Sequence, residues 1–299
     1  MSHTLAVDLG GTNMRGAIVD GAGTIVDRVQ AKTPHDSPNV EPLLELIRPL
    51  AAHPGVEHAV AGVPARVDHE AGTLLDAPNL PRRWPHLITR AELERELRLP
   101  VTLANDADVA AVGEAHFGAA RGHRDVVYVT ISTGLGAGII VGGRLVLPRC
   151  SAGEVGHTVI DRGLAAAGGD GTVEGLGSGT ALARHAHAVG LDAVGAALEA
   201  LVQAGDAEAT KIWDEAMFAA ALGIVNLAHV ASPSIVVVGG GVGRHGELVN
   251  APIRAALERF GPRGPTIEVV TAALGDDPGL IGAAAWRDAT GPPATDDAR

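Results

Sequence analysis

Three glycine clusters in this chain stand directly after apolar, β-rich runs. They are Gly10-Gly11-Thr12 after Thr4 to Leu9, Gly134-Leu135-Gly136 after Val126 to Ile131, and Gly239-Gly240-Gly241 after Ser234 to Val238. Bare amides at a strand end cradle anions, and glycine lets a phosphate approach the backbone. One cluster alone reads equally as a tight turn; three in one chain point to a nucleotide. The grip is not a P-loop, because the two lysines, Lys32 and Lys211, follow no glycine and that loop needs Gly-Lys-Ser/Thr. The strand lysine of protein kinases is also missing. Gly241-Val242-Gly243-Arg244-His245-Gly246 fits G-x-G-x-x-G. A dinucleotide site wants an acid at the end of the next strand, and Glu268 stands near its start. Asp106 follows the apolar run Val101 to Ala104 and opens a helix. A carboxylate there suits an N-cap or a general base worth about 10²–10⁴ in rate; position by itself favours the cap.

The elements that must hold these residues come in two similar sets. Thr4 to Leu9, Asn13 to Val19 and Thr24 to Val29 read as three strands joined by glycine turns. The pattern returns 122 residues on in Val126 to Ile131, Leu135 to Val141 and Leu145 to Leu147, with Gly16 over Gly138 and Val19 over Val141. Each set continues as helix, strand, helix, strand, helix. In the first these are Val40 to Ala52, His58 to Val63, Ala91 to Arg98, Val101 to Ala104 and Asp106 to Phe117. In the second they are a long helical region from Gly179 to Ala231, Ser234 to Val238, Glu247 to Phe260, Thr266 to Thr271 and Pro278 to Ala289. Both halves read βββαβαβα, an α/β order with helices covering a mixed sheet. Gly118 to Gly122 is the expected joint, and residues 291–299 read as a flexible tail.

Composition narrows the classes. The chain has 299 residues, a formal charge of −12, 46% hydrophobic residues and one cysteine, Cys150. That length buries a proper core, and the lone cysteine allows neither an internal disulfide nor a multi-cysteine metal site. Cys150 reads as a small buried apolar group. The acidic balance speaks against nucleic acid as a partner. No leader and no uninterrupted apolar run of about 18 residues is present, so neither export nor a membrane span is expected, and the expected location is cytoplasmic. His35, His53, His58, His69 and His86 form no pattern and read as surface residues.

Asp8-Leu9-Gly10-Gly11-Thr12, Asn105-Asp106 and Glu154-Val155-Gly156-His157, in that order, resemble the ROK family of kinases and repressors, a branch of the hexokinase and actin-like ATPases with a ribonuclease H-like fold. Gly62-Val63-Pro64, Pro78-Asn79-Leu80 with Trp84, Ser132 to Gly138, Ser178-Gly179-Thr180 and Gly239-Gly240-Gly241 extend the likeness over nearly the whole chain. The resemblance implies two lobes around a cleft. Residues 1–118 would form a small lobe, 119–276 a large lobe, and a last helix, 277–290, would return to the small one. It implies phosphorylation of a hexose by ATP with Mg²⁺, glucose foremost, with an aminosugar, fructose or a cyclitol as alternative acceptors. It also implies a homodimer or homotetramer. Asp106 would be the base, and Asn79, Asn105, Glu154, His157 and Glu174 would hold the sugar. Asp8 would orient Mg²⁺, while Gly10, Gly11, Thr12, Thr133, Gly134, Gly136, Gly240 and Gly241 would meet the nucleotide. A sugar-responsive repressor is disfavoured, since seven residues before Asp8 leave no room for a DNA-reading helix pair.

One departure from the family is sharp. ROK proteins usually carry a zinc loop of pattern C-x-C-G-x-x-G-C-x-E after the histidine. The matching run here is Ala165 to Glu174, with Ala165, Ala167 and Thr172 at the three cysteine positions. Structural zinc takes four thiolate or imidazole ligands, so no zinc is expected, and packing and turn hydrogen bonds must hold the loop.

Overall fold

Runs such as Ile235-Val236-Val237-Val238 suit strands covered on both faces, and all four residues are buried. The computed structural model describes residues 2–291; beyond Gly291, the tail expected to be flexible lies outside the described residues. The strands are β1 (His3–Leu9), β2 (Asn13–Asp20), β3 (Ile25–Lys32), β4 (Val56–Val63), β5 (Arg66–Asp68), β6 (Thr73–Asp76), β7 (Val101–Asn105), β8 (Val126–Ile131), β9 (Leu135–Val141), β10 (Arg144–Leu145), β11 (Ile235–Gly239) and β12 (Glu268–Thr271). Two compact units emerge from the packing. Of the described residues, unit 1 holds 2–117, 142–151 and 277–291, and unit 2 holds 118–141 and 152–276.

Unit 1 is built on the sheet β3-β2-β1-β4-β7. The first three strands are antiparallel, while β1, β4 and β7 run parallel. Within unit 2 the order β9-β8-β11-β12 repeats the order β2-β1-β4-β7, again with one antiparallel and two parallel pairings. That agreement supports duplication, with one adjustment. The first hairpin closes at Leu9 opposite Met14, around four residues; the second closes at Ile131 opposite Leu135, around three. The constant offset of 122 therefore slips by one across the turn, and Gly16 does not match Gly138.

Other expectations need correction. The segment 142–151, expected in the second lobe, packs in unit 1 because Arg149 to Ser151 run beside β5. His69 N–H donates to the Arg149 carbonyl at 2.9 Å, Asp68 bridges Cys150, and the Arg149 guanidinium lies 3.2 Å from the Asp68 carboxylate. Cys150 is half-buried there rather than buried. The expected final helix is broken into α-helical Pro278–Ile281, a 3₁₀ stretch Gly282–Ala285 and helical Trp286–Thr290. The break falls where Gly282 presses on the Val109 carbonyl of the helix Asp106–His116. The single helical region 179–231 is three helices, Gly179–Ala188, Ala196–Gln203 and Ala207–Ala231.

The 207–231 helix is long and apolar enough to cross a membrane by length and composition, yet half of its most apolar stretch is buried inside the protein. Asp206 caps it by accepting the Ala209 N–H at 2.9 Å, and Trp213, Met217 and Ile224 enter the core of unit 2. It is a core helix.

His58 is buried, not at the surface, opposite Thr4 in the β1–β4 pairing and 3.3 Å from its hydroxyl. Burial, then the charge of Arg287, push its pKa below the ordinary value, with Glu57 opposing. The unfolded chain therefore takes up the proton first, and stability present at pH 7.5 is lost as the pH falls below about 6.5. Thermal melts at pH 7.5 and 5.5 should show a drop in Tm that shrinks in His58→Asn. An equal drop in both proteins would contradict this assignment.

Candidate active site

In unit 1 the expected residues gather where the parallel strands end, which is where ligands of open α/β sheets bind. Asp8 on β1 is level with Gly62 on β4, and Gly62 with Ala104 on β7. Two strand spacings, roughly 10 Å, thus separate Asp8 from the strand that leads into Asn105 and Asp106. A Cβ placed on Gly62 would lie 3.6 Å from the Asp106 Cα. Asn79 joins the same edge. It is exposed in a turn closed by the Leu80 N–H on the Ala77 carbonyl at 3.2 Å, with Leu80 and Trp84 buried beneath. Its carbonyl lies against Gly11, where a side chain would not fit, since a Cβ would stand 2.8 Å from that oxygen.

The helix start at Asn105-Asp106 divides two tasks. Asn105 is the N-cap, accepting the Ala107 N–H at 2.9 Å while its amide donates to the Ala65 carbonyl at 3.1 Å. Asp106, half-buried, is the first helical residue, and one carboxylate oxygen also accepts the Ala107 N–H at 2.9 Å. The capping role that Asp106's position favoured thus belongs mainly to its neighbour, whose amide is already committed within the protein.

Asp8 faces Arg15 across the hairpin and is ion-paired with it. Arg15 also lies 3.6 Å from Asp277, which pairs with Arg28. Burial pushes the Asp8 carboxyl above its ordinary range; the charge and hydrogen bond of Arg15 pull it back, and Asp277 adds to the rise.

In unit 2 the glycine turns stand at the ends of β8 and β11, and Glu154, His157 and Glu174 come from segments packed beside β9. The turn Ser132-Thr133-Gly134 meets two other loops. The Gly179 N–H donates to the Ser132 carbonyl at 2.7 Å, and the Thr180 hydroxyl donates to the Thr133 carbonyl at 2.7 Å. Gly240 must be glycine: its φ is +85°, and a Cβ there would stand 2.5 Å from the Ile131 carbonyl oxygen. Beside it, a Cβ on Gly241 would meet open space. Glu174 accepts the Leu135 N–H at 2.8 Å, next to Gly134. Glu154 and His157 flank a 3₁₀ turn seated on β9, where the Ala137 N–H donates to the Gly153 carbonyl at 3.0 Å; their side chains approach to 3.7 Å.

Residues 4–290 match the profile of the ROK family. The chain belongs to the ROK family. It is 33% identical to a glucokinase of Streptomyces coelicolor, over 95% of this chain and 97% of that one. It is 32% identical to an N-acetylmannosamine kinase of Escherichia fergusonii, over 94% and 97%. Among solved structures it resembles a ROK family glucokinase from Streptomyces griseus, determined in complex with glucose and AMPPNP. That match has a TM-score of 0.79 and 34% identity, and covers 95% of this chain and 98% of the other. The duplicated α/β architecture is that of the ROK sugar kinases.

The zinc loop of other ROK proteins has no donor set here, since Ala165, Ala167 and Thr172 offer no thiolate or imidazole. Among the described residues no group of three or more metal-ligating side chains occurs. Hydrogen bonds hold the loop instead. Asp161 caps the helix Arg162–Ala166 by accepting the Leu164 N–H at 2.8 Å, and the Ile160 and Asp161 N–H groups share the Gly171 carbonyl. Thr172, at a former cysteine position, donates its hydroxyl to Asp170 at 2.6 Å. It accepts the Gly175 N–H at 3.0 Å, capping the helix Val173–Gly177 that carries Glu174. The hydrogen bonds from the Thr172 side chain and backbone hold the Asp170 carboxyl below the usual range.

Several residues beside the candidate site lacked a signal in the sequence. Arg15 carries none, and Thr180 appears only as part of a family motif. Asp277 and His35, which meets the Gly11 carbonyl through Nε2, arrive from distant segments.

Thr172→Ala should cost about 1 kcal/mol, the worth of an N-cap, read as a lowered midpoint in urea together with faster proteolysis within 161–172. Purified protein should contain no stoichiometric zinc, and a zinc chelator should leave the melting curve in place. A chelator-sensitive melt would overturn the hydrogen-bonded account of the loop.

Proposed function

We propose that this ROK chain transfers the terminal phosphoryl group of ATP to a hydroxyl of a hexose, with glucose foremost. The glucokinase relatives and the glucose- and AMPPNP-bound neighbour support the substrate pair. The observation that carries the reading is the place of Asp106: it opens the helix that follows β7, at the same strand-end edge as Asp8, with its Cα 3.6 Å from where a Cβ on Gly62 would stand. As the hydroxyl oxygen attacks the γ-phosphorus, Asp106 takes the hydroxyl proton and ADP leaves with the bridging oxygen. Such a base contributes about 10²–10⁴ in rate.

Phosphoryl transfer otherwise depends on positioning and charge neutralisation. Gly10, Gly11 and Thr12 in unit 1, and Thr133, Gly134, Gly136, Gly240 and Gly241 in unit 2, are the proposed nucleotide contacts. Mg²⁺ takes one or two carboxylates together with substrate phosphates, and Asp8, a single carboxylate beside the glycine turn, fits that demand. The ion supplies neutralisation of phosphate charge; Arg15 holds the Asp8 carboxylate in place. Asn79, Glu154, His157 and Glu174 are the proposed sugar contacts, and Asn105 acts through the cap that orients Asp106.

A second acceptor class, an aminosugar, is favoured by the N-acetylmannosamine kinase relative and by a loop before Glu174 that lacks the thiolates of other ROK proteins. ADP release measured across glucose, mannose, fructose, N-acetylmannosamine, N-acetylglucosamine and a cyclitol should single out the acceptor, with glucose expected to give the highest kcat/KM. Asp106→Asn should lower kcat by about 10²–10⁴ while glucose affinity stays within about threefold. Surviving turnover would remove Asp106 as the base, and silence with every acceptor would remove the kinase reading.

A further inference from the structure

The Gly10-Gly11-Thr12 turn is tied down on its carbonyl side by a segment that no motif singles out. β3 pairs with β2 as far as Lys32, opposite Asn13, so the chain leaves the sheet beside the turn. Two residues there, Thr33 and His35, then meet three successive carbonyls. The Thr33 N–H donates to the Thr12 carbonyl at 3.0 Å, the Thr33 hydroxyl to the Gly10 carbonyl at 2.7 Å, and His35 Nε2 meets the Gly11 carbonyl at 2.5 Å. Pro34, between them, has no N–H and ends the strand. Thr33 is buried and His35 exposed. With the Gly10 N–H spent on the Asn13 carbonyl at 2.8 Å, the donors this turn keeps for an anion are the Gly11 and Thr12 amides and the Thr12 hydroxyl.

We propose that Thr33 and His35 are positioning residues for the nucleotide phosphates: by holding the Gly10 and Gly11 carbonyls back, they fix the turn with its N–H groups presented. This rests on the kinase reading above. Two adjacent glycines leave the peptide planes easy to rotate, and a rotated plane would aim a carbonyl oxygen, rather than an N–H, at the phosphate. Unit 2 meets the same need with unrelated residues. There the Ser132, Thr133 and Gly134 carbonyls accept from Gly179 N–H, from Thr180 N–H and hydroxyl, and from Ser132 N–H.

The test uses the full chain, with ATP and glucose kinetics, AMPPNP titration calorimetry and thermal melts on the same preparations. Thr33→Val and His35→Ala should each raise the ATP KM and the AMPPNP Kd about tenfold, the scale of one hydrogen bond to a charged group. The glucose KM should stay within twofold, and Thr33→Ser and His35→Gln, which restore a donor, should recover most of the loss. His35 is exposed, so its variant reports even if Thr33→Val folds poorly. Unchanged ATP KM and AMPPNP Kd in both variants, or a loss of melting temperature with glucose and ATP constants moving together, would overturn the proposal. A wild-type protein that binds AMPPNP while the variants do so equally well sinks this inference alone; one that neither binds AMPPNP nor turns over any sugar sinks the kinase reading and this inference with it.

Discussion

A backbone turn that holds an anion faces it with N–H groups, so the carbonyls of that turn need other partners. Both hairpins of this protein obey that constraint, and much of the surrounding chain is arranged by it. In unit 1 the Gly10, Gly11 and Thr12 carbonyls are met by the exit of β3; in unit 2 the Ser132 and Thr133 carbonyls are met by the start of the helix Gly179–Ala188, and the Gly134 carbonyl by the Ser132 N–H within the turn. The two solutions share no residues in common sequence positions. What duplication preserved is the sheet order and the location of the turns; the groups that occupy the carbonyls were supplied separately in each unit.

The sheet order also explains why the proposed base stands where it does. Parallel strands deliver their carboxyl ends to one edge, and β1, β4 and β7 place Asp8, Gly62 and the Asn105-Asp106 pair along it in that order. Capping the helix after β7 is unavoidable, because its first N–H groups lack partners inside the helix. Asparagine at the cap is neutral and has a second group to anchor on the Ala65 carbonyl, and the charged Asp106 follows it at the first helical position.

The loop at 161–172, whose residues offer no zinc donor set, is held by hydrogen bonds of its own. Threonine at a cysteine position has no affinity for zinc, but its hydroxyl both donates and accepts, and here it links Asp170 to the first turn of the helix bearing Glu174. Each such bond is worth far less than a structural zinc. The loop is therefore held by several modest contacts, each replaceable, instead of one strong one.

The order of elements was legible because apolar runs and glycine punctuation are local properties: β8 and the helix Glu247–Phe260 fall where the residue pattern places them. The glycine clusters were legible for the same reason, as residue types at the ends of recognisable strands, whereas Asp106 by its position alone read as a cap and only the resemblance to the ROK family singled it out as a base. Tertiary structure alone decided what depends on partners far along the chain. It buried His58 against Thr4, broke the last helix where Gly282 packs on Val109, moved 142–151 to unit 1 by pairing it with β5, and brought His35 to the first glycine turn and Asp277 to Arg15. A histidine's surroundings, or the partner of a carbonyl, cannot be read from neighbours in sequence, because burial and hydrogen bonding are satisfied by whichever residue the fold carries within about 3 Å.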